Sequence, residues 1–475
     1  MKGDPNFRDN LLAELRNSRL WLDRLVVASF ALAAGLAVVL FTLLADWAGE
    51  LFLDLHDTWR WAPLIWTPAL CGLIVWLMQS WLKGAGGSGP PQIIAAIDPD
   101  TDNATRSKLA SLRISAAKIV AVTGGILAGL SMGRQGPSVQ IAAGIMYSAR
   151  RFLSAKSAIK PRELLIAGGA AGIAAAFNTP LGGIVFAVEE LNRKVEQRSS
   201  GLMLSGIVLA GLVAISVFGN LSYFGRIRAE AVGWGVVLPT VLVTLLCGLL
   251  GGLLARLLIA SAAGVPTRVC AFQRKHPIRF AMLCGLAVGV INVVTAGSVS
   301  GGGHEHTREL LNSAQSDLPV LWTWLKFVAT WLSAWSGVPG GLFAPSLSMG
   351  ASIGGDVAHF LAPDYHVVLI ALGMAAFLGA VTQAPITAMI IVMEMVDGYD
   401  LVLGLMACAM AASLISRMVS RPLFATMADI TLARLAAQAA APVSPEPASA
   451  VATPAAATPA PAPASSQTDP RDPAA

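Results

Sequence analysis

Four short segments rich in Gly and Pro have the composition to build a chemical site. They are Gly87-Ser88-Gly89-Pro90-Pro91-Gln92, Gly133-Arg134-Gln135-Gly136-Pro137-Ser138, Gly340-Gly341-Leu342-Phe343-Ala344-Pro345 and Arg421-Pro422-Leu423-Phe424. In the first three, an apolar stretch ends at the glycines and Pro opens the next one. Pro is favoured in the first helical turn, where its missing N–H costs nothing. Each segment therefore predicts a helix N-terminus. Such an end carries about half a positive charge and several unpaired N–H donors. Several aimed at one place would hold an anion without a full cation. They would also hold it weakly enough to let it leave, as conduction requires.

The elements that must position these ends are apolar. A bilayer span needs about 20 apolar residues. Residues 25–45, 61–82 and 233–255 are uncharged runs of that length, and 367–393 is a longer one interrupted by Gln383-Ala384-Pro385. The runs at 119–132, 164–188 and 332–353 are shorter or broken by Gly and Pro. Lipid cannot satisfy broken backbone, so such breaks must be buried in protein or line a polar cavity. They predict helices that stop inside the membrane, in two halves of repeated design. Lys2, Arg8, Arg16, Arg19 and Arg24 precede the first run, and Arg417 and Arg421 follow the last. Both termini are thus expected in the cytoplasm. The first run is too long for a signal peptide and no small-residue cleavage site follows it. Residues 441–475 hold twelve Ala and nine Pro, and no core can be built from them.

Composition agrees. Only 13% of the 475 residues are charged and 55% are apolar, against about 25% charged in a soluble domain. That leaves too little polar surface for a soluble enzyme, a disordered chain or a nucleic-acid binder. The net charge of +5 fits basic loops. The five cysteines are scattered without CxxC, so neither a disulfide framework nor a zinc site is expected.

With these motifs the chain resembles the CLC family of chloride channels and chloride/proton antiporters, of the bacterial type without CBS domains. The first segment is similar to the family's GSGIPE, the second to GREGP and the third to GxFxP. Asn178-Thr179-Pro180-Leu181-Gly182-Gly183 with Phe186 and Glu189-Glu190 resembles its inner-helix signature. Ala384-Pro385-Ile386-Thr387 with Glu394 resembles the late counterpart. The resemblance spans about 25–436. It implies an all-α polytopic membrane fold of about 18 tilted or broken helices, in inverted halves near 25–217 and 233–436. An amphipathic segment at 1–24 and a disordered tail at 437–475 would flank it. It implies a homodimer with one pore per subunit, chloride as the transported ligand, no cofactor, no metal and no enzymatic activity. The expected setting is a bacterial inner membrane.

The resemblance also implies roles. Ser88 would offer its hydroxyl to the central anion, and Leu342 and Phe343 their backbone N–H groups. Gly89 and Gly136 would line the same site. Gln135 stands where most members carry the gating glutamate, and Phe424 where many carry a tyrosine. Glu190 matches the internal proton-transfer glutamate of the antiporters. Glutamine never ionises, so the resemblance implies passive, channel-like conduction, with chloride/proton antiport as the alternative. For Glu189 and Glu394 a capping role competes with a functional one.

Three other patterns compete. Gly84 to Gly89 matches GxGxxG but follows a helix-length run, where dinucleotide binding needs a strand. Gly350-Ala351-Ser352-Ile353-Gly354 matches GxSxG, which with His304, His306 or His359 as base would make an intramembrane serine protease. His304-Glu305-His306 lacks an obvious third metal ligand nearby and predicts a loop leading into a helix.

Overall fold

The computed structural model describes residues 18–154, 157, 159–191, 200–219, 234–312 and 320–440. The expected tail and most of the amphipathic N-terminal segment lie outside these residues. The first unit, Met1–Leu435, holds the fold. Only residues 436–440 of the second unit, the end of the last helix, are described.

All named elements are helical, and they run in chain order as follows. First come α1 (Ser18–Thr58), α2 (Pro63–Ser80), α3 (Pro90–Ile97), α4 (Asn103–Leu109), α5 (Leu112–Leu127) and α6 (Gln135–Ser148). Next are α7 (Pro161–Phe177), α8 (Pro180–Phe186), α9 (Ser200–Phe218), α10 (Val237–Ala263), α11 (Thr267–Lys275) and α12 (Pro277–Val294). The last are α13 (His304–Asn312), α14 (Leu321–Trp335), α15 (Phe343–Leu361), α16 (His366–Thr382), α17 (Pro385–Met395), α18 (Val402–Val419) and α19 (Leu423–Ala440). A single π-helical turn, Ala187–Leu191, continues α8. Among the described residues seven helical stretches are long and apolar enough to cross a membrane.

The breaks fall where Pro and polar residues demand them. The 164–188 run stops at Asn178, in the left-handed conformation (φ 58°), and restarts at Pro180. The 367–393 run does the same at Gln383 (φ 57°) and Pro385. Asn accepts that conformation more readily than most residues, and Pro at the first helical position needs no N–H acceptor. All four Gly/Pro segments lead into helices: α3, α6, α15 and α19.

Packing reverses the soluble pattern. Small residues face inward, and bulky apolar ones such as Leu32, Leu36 and Leu40 of α1 or Leu238 and Val241 of α10 are exposed. Where α15 crosses α16, a Cβ on Gly350 would lie 2.2 Å from Gly373 O, so backbone meets backbone there. Such approach is how membrane helices gain dispersion contacts without hydrophobic contrast. Gly350 and Gly354 thus pack helices. Ser352 is buried in the α15 interior instead of on a strand-to-helix turn, so the nucleophile-elbow reading fails for want of the elbow.

Two kinds of reciprocal contact relate the halves. The Glu189 carboxylate accepts from Ile386 N (3.1 Å) and Thr387 N (2.6 Å) at the start of α17. The Glu394 carboxylate accepts from Leu181 N (3.2 Å) and Gly182 N (2.8 Å) at the start of α8. Gly133 and Gly341 exchange both backbone bonds, N to O at 2.8 and 2.7 Å. Exchange of this kind is what a two-fold relation produces. The capping reading of Glu189 and Glu394 is the one that the geometry gives.

Candidate anion site

The Gly133–Gly341 pair is the seed of the site. It sets the start of α6 against the start of α15 and brings in the loop before α3. A Cβ on Gly136 would lie 2.5 Å from Ser88 O and 3.1 Å from Gly341 Cα. A Cβ on Gly89 would lie 2.0 Å from Gly136 O. Three glycine segments from distant parts of the chain therefore meet main chain to main chain. The Phe424 ring at the start of α19 lies 5.6 Å from that of Phe343 and completes the cluster.

The donors differ from end to end. In α6 the first ladder bond is Ser138 N to Arg134 O, and in α15 it is Ser346 N to Leu342 O. The N–H groups of Gln135, Gly136, Phe343 and Ala344 precede those ladders, while Pro137 and Pro345 have none to place. The start of α3 is different. Pro90 and Pro91 have no N–H, and Gly89 N donates to Gln92 Oε1 at 2.8 Å. Gly89 N is thus engaged by the Gln92 side chain, and Gly89 holds a φ of 110° that glycine adopts easily.

What the α3 loop presents is the Ser88 side chain. Its hydroxyl is buried and has no hydrogen-bond partner among the described residues. Both amide atoms of Gln135 are likewise buried without a partner there, and the residue is 0% exposed. Unpartnered buried polar groups are rare and call for an explanation. Leu342, Phe343 and Phe424 are all buried beside them.

Two cavities approach this cluster. One, of about 410 Å³, is lined by Asp46, Gly133, Arg134, Gly301, Gly302 and His304 among others. Arg134 is ion-paired there with Asp46 of α1. The second, of about 690 Å³, is lined by Glu189, Glu190, Gln383, Ser420, Arg417 and Arg421. A small space bordered by Phe186, Phe343, Phe424, Thr382 and Thr387 adjoins the second cavity at Glu190. Phe177, Phe186 and Phe424 all hold rings within 6.1 Å of Phe343. Glu190 is buried and borders both spaces.

Ser88, Gly136, Leu342, Phe343, Gln135 and Phe424 are thus brought together, and Glu190 borders one small space with Phe343 and Phe424. Two residues escaped the sequence reading. Lys118 of α5 is fully buried and its Nζ donates to Gly86 O (3.0 Å) and Gly87 O (2.7 Å). Lys326 of α14 is fully buried and donates to Val299 O (2.8 Å), Ser300 O (3.4 Å) and Gly301 O (2.8 Å). A lone Lys beside an apolar run is functional by default, and that signal was available. The histidine pair forms no metal group among the described residues. His306 instead stacks on Trp322 with ring centres 3.7 Å apart, and His304 opens α13 as expected.

Comparison with known proteins gives the arrangement its family. Residues 71–417 match the family described as voltage gated chloride channel. The H(+)/Cl(-) exchange transporter ClcA of Salmonella arizonae is 27% identical over 94% of this chain and 99% of its own. ClcA of Citrobacter koseri is 28% identical over 88% and 90%. Among solved structures, a slow cyanobacterial Cl-/H+ antiporter aligns with TM-score 0.74 and 23% identity over 87% of this chain and 98% of that one. A CLC-type fluoride/proton antiporter aligns with TM-score 0.69 and 20% identity over 86% and 98%. The halves, the broken helices and the matched motifs agree with these results: the chain is a multi-pass integral membrane protein that belongs to the voltage-gated chloride channel, or CLC, family.

Proposed function

We propose that this protein moves chloride across a bilayer along a path from the Arg134 cavity, past Gln135 and the Ser88 cluster, to the Arg417–Arg421 cavity. One observation carries the reading. The starts of α6 and α15 and the α3 loop converge on a buried hydroxyl and a buried amide that the described protein leaves without partners. Helix ends of about half a charge each, plus a hydroxyl, suit an anion that must bind and then leave. Ser88 gives the hydroxyl, and Leu342 and Phe343 the backbone donors. Gln135 is the gate, and Phe424 borders the site without a hydroxyl of its own.

Two finer readings differ in the proton. The names of the relatives favour chloride/proton exchange, and Glu190, an acid bordering the small space beside Phe343 and Phe424, supports it as a relay group. That reading has the broader support. Passive, channel-like conduction is the second reading, favoured by Gln135 alone, because an amide cannot take up and release the proton that a gating carboxylate would. In either case the protein works as a homodimer in a bacterial inner membrane, with both termini and the Arg417–Arg421 cavity on the cytoplasmic side. Residues 25–436 form the transport domain.

Proteoliposomes loaded with chloride, with chloride and pH electrodes outside, test this. Chloride efflux with proton movement in fixed ratio means exchange. Efflux without proton movement means passive conduction. No efflux above protein-free vesicles overturns chloride transport itself.

A further inference from the structure

The loop that carries Ser88 packs on the Gly136 backbone, and two side chains hydrogen-bond to it. Gly87 (φ 82°) and Gly89 (φ 110°) flank the serine in left-handed backbone, and Pro90 and Pro91 follow without donors. Gly-rich backbone of this kind has many accessible states. Two side chains fix it. Lys118 Nζ holds the carbonyl oxygens of Gly86 and Gly87 from one side. Gln92 Oε1 accepts from Gly89 N on the other, and its Nε2 lies against Gly87, where a Cβ would come within 2.0 Å of it. Among the described residues, the hydrogen bonds of these two side chains go to the three glycines around Ser88. No carboxylate pairs with Lys118 among the described residues, and the hydrogen bonds of its ammonium go to this loop.

We propose that Lys118 and Gln92 are positioning residues that clamp the Ser88 loop from both sides, and that through it they set the anion preference of the path. The proposal rests on the reading of Ser88 as the hydroxyl that meets the anion. With both carbonyls occupied by Lys118, no acceptor dipole of residues 86 and 87 is free to turn toward the anion and repel it. With Gly89 N occupied by Gln92, the serine hydroxyl is the unpartnered side-chain donor that the loop offers. A compact ion such as chloride gains more from one directed hydroxyl than a larger, diffuse ion such as nitrate. Loosening the loop should therefore cost chloride more than nitrate.

The test is the ratio of chloride to nitrate uptake into proteoliposomes, measured on full-length protein that elutes as a single species. Ser88→Ala should shift the ratio toward nitrate by more than threefold. Gln92→Leu, which removes the acceptor, should shift it in the same direction, and Gln92→Glu, which keeps an acceptor, should leave it near the parent value. Lys118→Met should act like Gln92→Leu, and adding it to Ser88→Ala should move the ratio no further than Ser88→Ala alone. If Lys118→Met does not fold, the Gln92 pair decides. A shift in Ser88→Ala with none in Gln92→Leu overturns the clamp and leaves the Ser88 reading standing. A further shift in the double variant shows Lys118 acting independently of Ser88 and also overturns the clamp. No shift in Ser88→Ala overturns both.

Discussion

At position 135, if the proposed gate is right, the exchange of one carboxylate oxygen for an amide nitrogen sets its behaviour. Gln135 is 0% exposed and its amide has no partner among the described residues. A glutamate of the same shape would put a charge at that spot, which competes with chloride until it is protonated. Gln135→Glu should therefore lower chloride flux at pH 7.5 and restore it near pH 4.5, in vesicle efflux at both values. Flux equal at both would count against Gln135 as the gate. Phe424 allows a converse experiment. Phe424→Tyr adds a donor beside Phe343, and a hydrogen bond to a charged group contributes about 1.5–3 kcal/mol. Chloride binding by calorimetry should tighten by about tenfold or more. Unchanged affinity would place Phe424 outside the site. Both residues were legible as departures from the motifs they sit in. Lys118 was legible only as a cation beside the 119–132 run, not in what it does. What its ammonium touches depends on a loop some thirty residues away.

Among elements, the proposed site uses the starts of α6 and α15, while the acids Glu189 and Glu394 hold two other helix starts, those of α17 and α8. Pro and Gly announced where helices start, so the breaks at Asn178–Pro180 and Gln383–Pro385 could be read from sequence. The exchange of caps could not, since Glu189 and Thr387 are 198 residues apart and no local pattern joins them. Nor could the π-helical turn at Ala187–Leu191, which carries Glu189. Removing a carboxylate cap costs about 1–2 kcal/mol when the freed N–H groups find no substitute. Glu189→Ala and Glu394→Ala should each lower the thermal midpoint in detergent, and Glu394→Gln, which keeps one acceptor, should do so less. Equal melting of all three would mean that water replaces the cap. Gly89→Ala should be more severe. Its Cβ would meet Gly136 O at 2.0 Å, in a backbone region that alanine disfavours. Loss of a single eluting species, or loss of flux in what remains, is the expected result.

For the whole molecule, apolar surface is the informative quantity. Leu181, Ile386, Leu403 and Leu414, on α8, α17 and α18, are all well exposed although the chain has ample small residues with which to cover itself. Lipid, or a second copy, must meet them. Light scattering of the detergent complex should give a protein mass near twice 49.3 kDa if the homodimer holds; a mass of one chain would remove it. The class of fold was legible from composition alone, because 13% charge cannot dress a soluble globule. The pairing of halves was not, because it resides in contacts between residues about two hundred positions apart.

The exchanged caps also set a timetable for biosynthesis. Leu181 and Gly182 receive their acceptor from Glu394, which is translated 213 and 212 residues later. At about 5–20 residues per second the ribosome takes roughly 10–40 s to make that stretch. Throughout that interval the nascent first half carries a helix start whose N–H groups still await their partner. The synthesis of α17 then supplies both missing partners: its Glu394 meets the start of α8, and its own first N–H groups meet Glu189.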